Sequence, residues 1–189
     1  MNMNKLKNLL MAALLGVCAQ AFAGPTLTVA ATPNPVAVGS TVDLDVTIND
    51  IADLYAYQFT LTFDASLFQV TGVTDGAFLG TAGATFGDLG MIDNTAGTIS
   101  FFFSTLLGPV PGASGSGSLA YITLEALGAG TSALAFSDLL FLDSAANDIL
   151  VDVDGAAIQA VPEPASFLLF GAGLVAVGAM RRRQLAARG

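Results

Sequence analysis

Aspartate is the residue of this chain most able to do chemistry. Between Gly24 and Ala160 stand thirteen aspartates and Glu125, with no lysine, arginine or histidine among them. Two short segments place oxygen donors close together, Asp143-Ser144-Ala145-Ala146-Asn147-Asp148 and Asp152-Val153-Asp154-Gly155. Both resemble fragments of calcium loops, which makes Asp143, Asp148, Asp152 and Asp154 the candidate ligands for weak, extracellular-type Ca²⁺ binding. Neither has the D-x-[DN]-x-[DN]-G-x5-E spacing of an EF-hand. The same residues also suit a plainer role, as turn formers and as the wetted face of alternating strands.

The residue types that are missing exclude more than the aspartates admit. Cys18 is the only cysteine and the chain has no histidine, so thiol or imidazole nucleophile–base pairs and the usual zinc and transition-metal sites are ruled out. Lysine is absent after Lys7, which removes Schiff-base chemistry. A carboxylate pair could hydrolyse a glycosidic bond. Here the acids are nearly all short aspartates in turn or face positions, a poor source of a pocketed carboxyl with a raised pKa. No catalytic residue is assigned, and the chain reads as a non-enzyme. An all-anionic domain is also a poor partner for nucleic acid, since it has no cation to replace counterions. The glycines of Gly83–Gly90 lack a basic neighbour, so they make no phosphate cradle.

Every basic residue lies near an end. Lys5 and Lys7 precede the apolar run Leu9–Val17, and Ala21-Phe22-Ala23 forms an A-x-A site before Gly24. This is the pattern of a secretory signal peptide over 1–23, with Ala21, Ala23 and Gly24 marking cleavage. Val17 before Cys18 is not the small residue that lipid attachment at that cysteine would require. At the other end, Pro162-Glu163-Pro164 precedes an uncharged run from Ala165 to Met180 and then Arg181-Arg182-Arg183. The prolines break helix and ladder alike. The apolar run would form a helix over 165–180 of roughly 24 Å, just short of a full membrane span. The arginines stay on the cytoplasmic side. Over 161–189 this order of parts resembles the PEP-CTERM sorting signal of Gram-negative bacteria. That resemblance implies transient holding in the inner membrane, processing by an exosortase-type enzyme, and delivery to the cell surface or extracellular matrix.

Residues 24–160 must then supply the working domain, long enough for one core. Val42, Leu44, Val46 and Ile48 alternate with Asp43, Asp45 and Thr47, the pattern of a half-buried strand. Tyr55, Tyr57, Phe59, Leu61 and Phe63 repeat it. Further strands are predicted at Leu27–Ala31, Phe68–Val73, Thr98–Leu106, Leu119–Leu127, Ser132–Leu142 and Ile149–Ile158, divided by turn signals such as Pro33-Asn34-Pro35, Asp75-Gly76 and Asp93-Asn94. Gly112–Gly117, rich in glycine and serine, reads as a long loop within one domain. Phe102 falls out of step with Ile99, Phe101 and Phe103. Either both faces of that strand are buried, the reading preferred here, or one of its aromatics is exposed for a partner. The tyrosines suit the core better than a sugar platform, and tryptophan is absent. The fold class that follows is all-β, a sandwich of short strands.

The order of these segments carries a second resemblance. Val38-Gly39-Ser40-Thr41-Val42-Asp43-Leu44, Gln58-Phe59-Thr60-Leu61-Thr62-Phe63-Asp64, Gly97-Thr98-Ile99-Ser100-Phe101 and Gly117-Ser118-Leu119-Ala120-Tyr121-Ile122-Thr123-Leu124 resemble successive signatures of cohesin domains. Gly128-Ala129-Gly130-Thr131-Ser132, followed by a strand and Asp143, fits as well. The resemblance implies a jelly-roll sandwich of about nine strands and a sheet face offered to a dockerin-like protein. Where scaffold-type cohesins carry an Asn-x-Asp pair on that face, this chain has Ala56-Tyr57-Gln58. The expectation is therefore an exported, non-catalytic surface or matrix protein that binds a protein partner. Binding of extracellular polysaccharide is the alternative.

Overall fold

The computed structural model describes residues 24–163; the signal peptide and the 165–180 helix lie outside the described residues. Twelve strands and one short 3-10 turn make up the chain from Thr26 to Val161. They are β1 (Thr26–Thr32), β2 (Val36–Ala37), β3 (Thr41–Leu54), β4 (Ala56–Thr62), β5 (Phe68–Asp75), β6 (Thr85–Asp88), β7 (Met91–Asp93), β8 (Thr98–Leu106), β9 (Ala113–Ala126), β10 (Gly130–Leu142), β11 (Asp152–Val153) and β12 (Ala156–Val161). Nine of these have four or more residues, as the sandwich reading expects. A first sheet runs β11-β1-β3-β9-β5; a second runs β2-β12-β10-β4-β8-β6, with β7 also on β8. All pairs are antiparallel except β1–β11 and β12–β2.

Alternation places the core where it was read. Val42, Leu44, Val46 and Ile48 of β3 and Tyr57, Phe59, Leu61 and Phe63 in and after β4 are all buried between the sheets. The rings of Phe59 and Phe102 stack 4.9 Å apart, and Tyr57 stacks on Phe59, Phe102 and Phe141. A small polar cluster spans this interior. The Tyr57 hydroxyl of the second sheet lies 2.7 Å from the Leu119 carbonyl and 2.9 Å from Asp75 Oδ1 of the first. Ser104, also buried, donates to the other Asp75 oxygen at 3.3 Å. Burial first, then the neighbouring Asp75 carboxylate, push the Tyr57 phenol well above its usual range.

Three expectations are corrected. Gly112–Gly117 is no loop, because Ala113–Gly117 begins the long strand β9. Its small residues complement the irregular end of β3, where Asp50 and Asp53 take positive φ and the register slips twice. The backbone N–H groups freed there donate to the hydroxyls of Ser116 and Ser114, each at 2.9 Å. A Cβ on Gly117 would stand 2.6 Å from the Phe78 ring, so glycine lets that ring lie flat on the strand. The single strand expected at Ile149–Ile158 is two, β11 and β12, one in each sheet. Finally, Phe102 is buried against the core, but Phe101 and Phe103 do not share a buried face with Ile99. A bulge at Phe101 resets the alternation: Ile99, Phe102 and Ser104 point inward while Phe101 is 55% exposed.

Candidate functional site

The outward faces of the two sheets differ in kind. On the first sheet, outward polar side chains are satisfied by neighbours on the same or an adjacent strand. Thr123 donates to Asp43 at 2.8 Å, Gln69 to Glu125 at 2.8 Å, Thr47 to Asp45 at 3.2 Å and Thr71 to the Thr123 carbonyl at 3.2 Å. Tyr121 on β9 and Val153 on β11 are the large apolar residues exposed on its strands. With no cation in the domain, hydroxyls and amides take the place of salt bridges.

The second sheet leaves its outer side apolar. Phe86 on β6 is 61% exposed and Met91 on β7 is 70% exposed. Leu89, Ile92, Phe101, Leu139 and Leu140 are exposed as well. The rings of Phe86 and Phe103 lie 6.2 Å apart. Exposed apolar residues gathered on one sheet are the kind of surface from which interaction sites are built. Next to β10, Leu139, Leu140, Phe141, Asp148, Leu150 and Val151 help to line a groove of about 220 Å³.

Two bulges build the centre of this face. Each flanking strand inserts one extra residue against the same stretch of β4. In β8 the register slips between Phe59 and Leu61; in β10 it slips between Ser137 and Leu140. The bulged residues Phe101 and Asp138 take φ of 55° and 50°. Outward side chains of β4 pin both. Thr60 Oγ1 accepts from the Phe101 N–H at 3.2 Å, and Gln58 Nε2 donates to the Asp138 carbonyl at 3.3 Å. Such pinned bulges re-aim side chains at sheet surfaces. Gln58 therefore serves the bulge, while Ala56, two residues before it, contributes no polar group.

The calcium candidates do not converge on this face, although Asp148 lines the groove beside β10. Asp143 turns back on its own loop, accepting from the Asn147 side chain at 2.9 Å and from the backbone N–H of Ala145 and Asn147. The Asn147 amide foremost holds its carboxyl below the usual carboxylate range. Asp53 is held low in the same way, first by the Ser144 hydroxyl at 2.6 Å and then by the Gly112 N–H. Asp64 is lowered by Ser66. Asp148 forms an isolated bridge with Leu142, Asp152 lies in β11 and Asp154 follows it. Among the described residues no three acidic side chains converge closely enough to hold a metal ion. Gly24 is exposed at the start of the described residues, and Pro162 and Glu163 are exposed just past β12; Ala21, Ala23, Pro164 and Arg181–Arg183 lie outside them. No helix among the described residues is long and apolar enough to cross a membrane.

Sequence reasoning missed the apolar face because it assigned apolar residues inward. The one available signal was the unbroken Phe101-Phe102-Phe103 run, which no period-2 strand can bury on a single side.

Comparison with known proteins agrees with this geometry. The family model for the cohesin domain matches residues 25–158. The model for the PEP-CTERM protein-sorting motif matches residues 160–183. The non-cellulosomal cohesin of the hyperthermophilic archaeon Archaeoglobus fulgidus is similar at 16% identity and a TM-score of 0.60, over 77% of this chain and 96% of that one. The third cohesin of ScaC from Acetivibrio cellulolyticus, solved in complex with the ScaB dockerin, gives 15% identity and 0.60, over 72% and 99%. A type II cohesin from the cellulosome of Acetivibrio cellulolyticus gives 16% and 0.55, over 72% and 95%. At such identities the likeness is one of fold. No curated protein sequence matches the chain.

Proposed function

Because the chain belongs to the cohesin domain family and ends in a PEP-CTERM protein-sorting motif, we propose that it is an exported binding module that works without bond chemistry. It offers the outer face of its second sheet to a protein partner. A dockerin-like protein is the partner class that the complexed relative suggests. Cleavage after Ala23 frees Gly24, and an exosortase-type enzyme processes the tail at Pro162-Glu163-Pro164, with Arg181–Arg183 holding the cytoplasmic side until then. The destination is the cell surface or extracellular matrix of a Gram-negative cell.

The observation that carries this reading is the concentration of exposed apolar residues on the second sheet, where Phe86, Met91, Ile92, Phe101, Leu139 and Leu140 stand against Tyr121 and Val153 on the strands of the first. Photo-crosslinking residues placed at Phe86, Met91 or Leu140 in living cells should yield covalent adducts with a protein. The same probes at Tyr121 or Thr123 should not. Adducts formed equally from both faces, or with polysaccharide alone, would overturn it. Mass spectrometry of the protein from cells and medium tests the sorting; an intact Arg181–Arg183 tail in the secreted fraction counts against it.

A further inference from the structure

Phe101 is an unusual residue for its backbone. At φ of 55° a phenylalanine is in the left-handed region, which glycine or asparagine occupies at lower cost. The bulge itself has a folding purpose, since it turns Phe102 and Ser104 inward. That purpose needs only an extra residue and its N–H, which Thr60 accepts. It does not require a ring at position 101, and the ring is more than half exposed. Folding accounts for the bulge and leaves the phenylalanine unexplained.

The surroundings of Phe101 are consistent with contact. Met91 of β7 pairs with Ser100, immediately beside it. Across β4, the second bulge presents Leu139 and Leu140 a little further along, Leu140 pairing with Gln58, which pairs with Phe103. The apolar row is bordered by exposed carboxylates at Asp88, Asp93 and Asp138, and residues 24–163 hold no cation to neutralise them. A partner with acidic residues at its rim would be repelled along this border, and one with lysine or arginine would be attracted.

Resting on the function proposed above, we infer that Phe101 is the anchor of the docking surface and that its occupant is a protein with an apolar pocket bordered by Lys or Arg. Buried aromatic anchors of this kind dominate interface energetics. The bulge places the ring before the partner arrives, so little is lost in ordering it.

The test selects binders from a display library of small helical scaffolds with randomised surfaces, against the protein as exported by its cells. Selected binders should be enriched in Lys and Arg around an apolar patch and should weaken as salt is raised towards about 1 M. Phe101→Asn should reduce their affinity at least about tenfold while leaving the melting temperature unchanged or a few degrees higher, because asparagine tolerates the backbone. A purely structural role would lower the melting temperature instead, and that result overturns the anchor. Binders that are lost with Met91→Lys but indifferent to Phe101→Asn also overturn the anchor, while the face stands. Binders lost only with Tyr121→Ser overturn the face and the anchor together. Selected patches that are neutral or acidic overturn the basic border.

Discussion

The two outward faces come from strands of the same period and close over the same core, yet only one is chemically finished. On the first sheet Asp43, Asp45 and Glu125 each have a hydroxyl or amide donor from a neighbouring residue, and the face is polar and wetted. On the second, the β4 side chains Gln58 and Thr60 spend their hydrogen bonds on holding two bulges open, and apolar residues stand outside. Core packing constrains only inward positions, so it cannot account for this difference. Exposed apolar surface carries a risk of aggregation and has to serve a purpose to persist. The contrast teaches that, in this sandwich, folding constrains the inward side of the strands, and the outward side of the second sheet is left for the binding proposed above.

If that division holds, damage to the shared interior should harm both faces alike and far more than any outward change. The largest effect is expected at Phe59, buried at the level of both bulges and stacked on Phe102. Phe59→Ala should destabilise by about 3–5 kcal/mol through lost burial and the cavity left behind. Urea denaturation measures this, and a loss confined to one face's crosslinking would break the comparison. Next comes Tyr57, in the polar cluster between the sheets. Tyr57→Phe leaves the Leu119 carbonyl without its side-chain donor and should cost about 1–3 kcal/mol. Its pH dependence sharpens the point. The folded protein holds the phenolic proton more tightly than the unfolded chain, which ionises near the ordinary tyrosine value of 10.0. This contribution is complete below that pH and is lost as pH rises above it. The alkaline decline should therefore be shallower in Tyr57→Phe than in the parent.

The division also explains what could be read from the sequence. Inward positions were legible because alternation is local: Val42 to Ile48 and Tyr57 to Phe63 announce their burial within a few residues. Bulges were not, because their stabilising partners lie far along the chain. Asp53 is pinned by Ser114 and Phe101 by Thr60, and a single inserted residue carries no signature in composition. Gly112–Gly117 misled for the same reason. Its small residues resemble a linker until the bulged end of β3 and the ring of Phe78 are placed against them. The tail segments were legible from order alone, since prolines, apolar run and arginines act by local chemistry. The apolar outer face was hidden by the rule that served the core so well, which sends every apolar residue of a strand inward.

The smallest expected effect compares two pins at the polar end of β3. Ser144 bonds the Asp53 carboxylate, and Ser116 accepts the N–H of Asp50. Asp53 has a pKa depressed below 3.8, chiefly by the Ser144 hydroxyl. A depressed folded-state pKa contributes stability above the unfolded value, and that contribution fades as pH falls through the folded one. Ser144→Ala should therefore cost little at neutral pH, and the deficit should close in acid below 3.8, once Asp53 is protonated in both proteins. Ser116→Ala removes a neutral acceptor, so its deficit should stay constant across the same range. Urea midpoints followed from neutral to acidic pH separate the two. Parallel curves for both variants would mean that neutral donors do not stand in for salt bridges here, and the polar side of the sandwich would need another account of how it carries its charge.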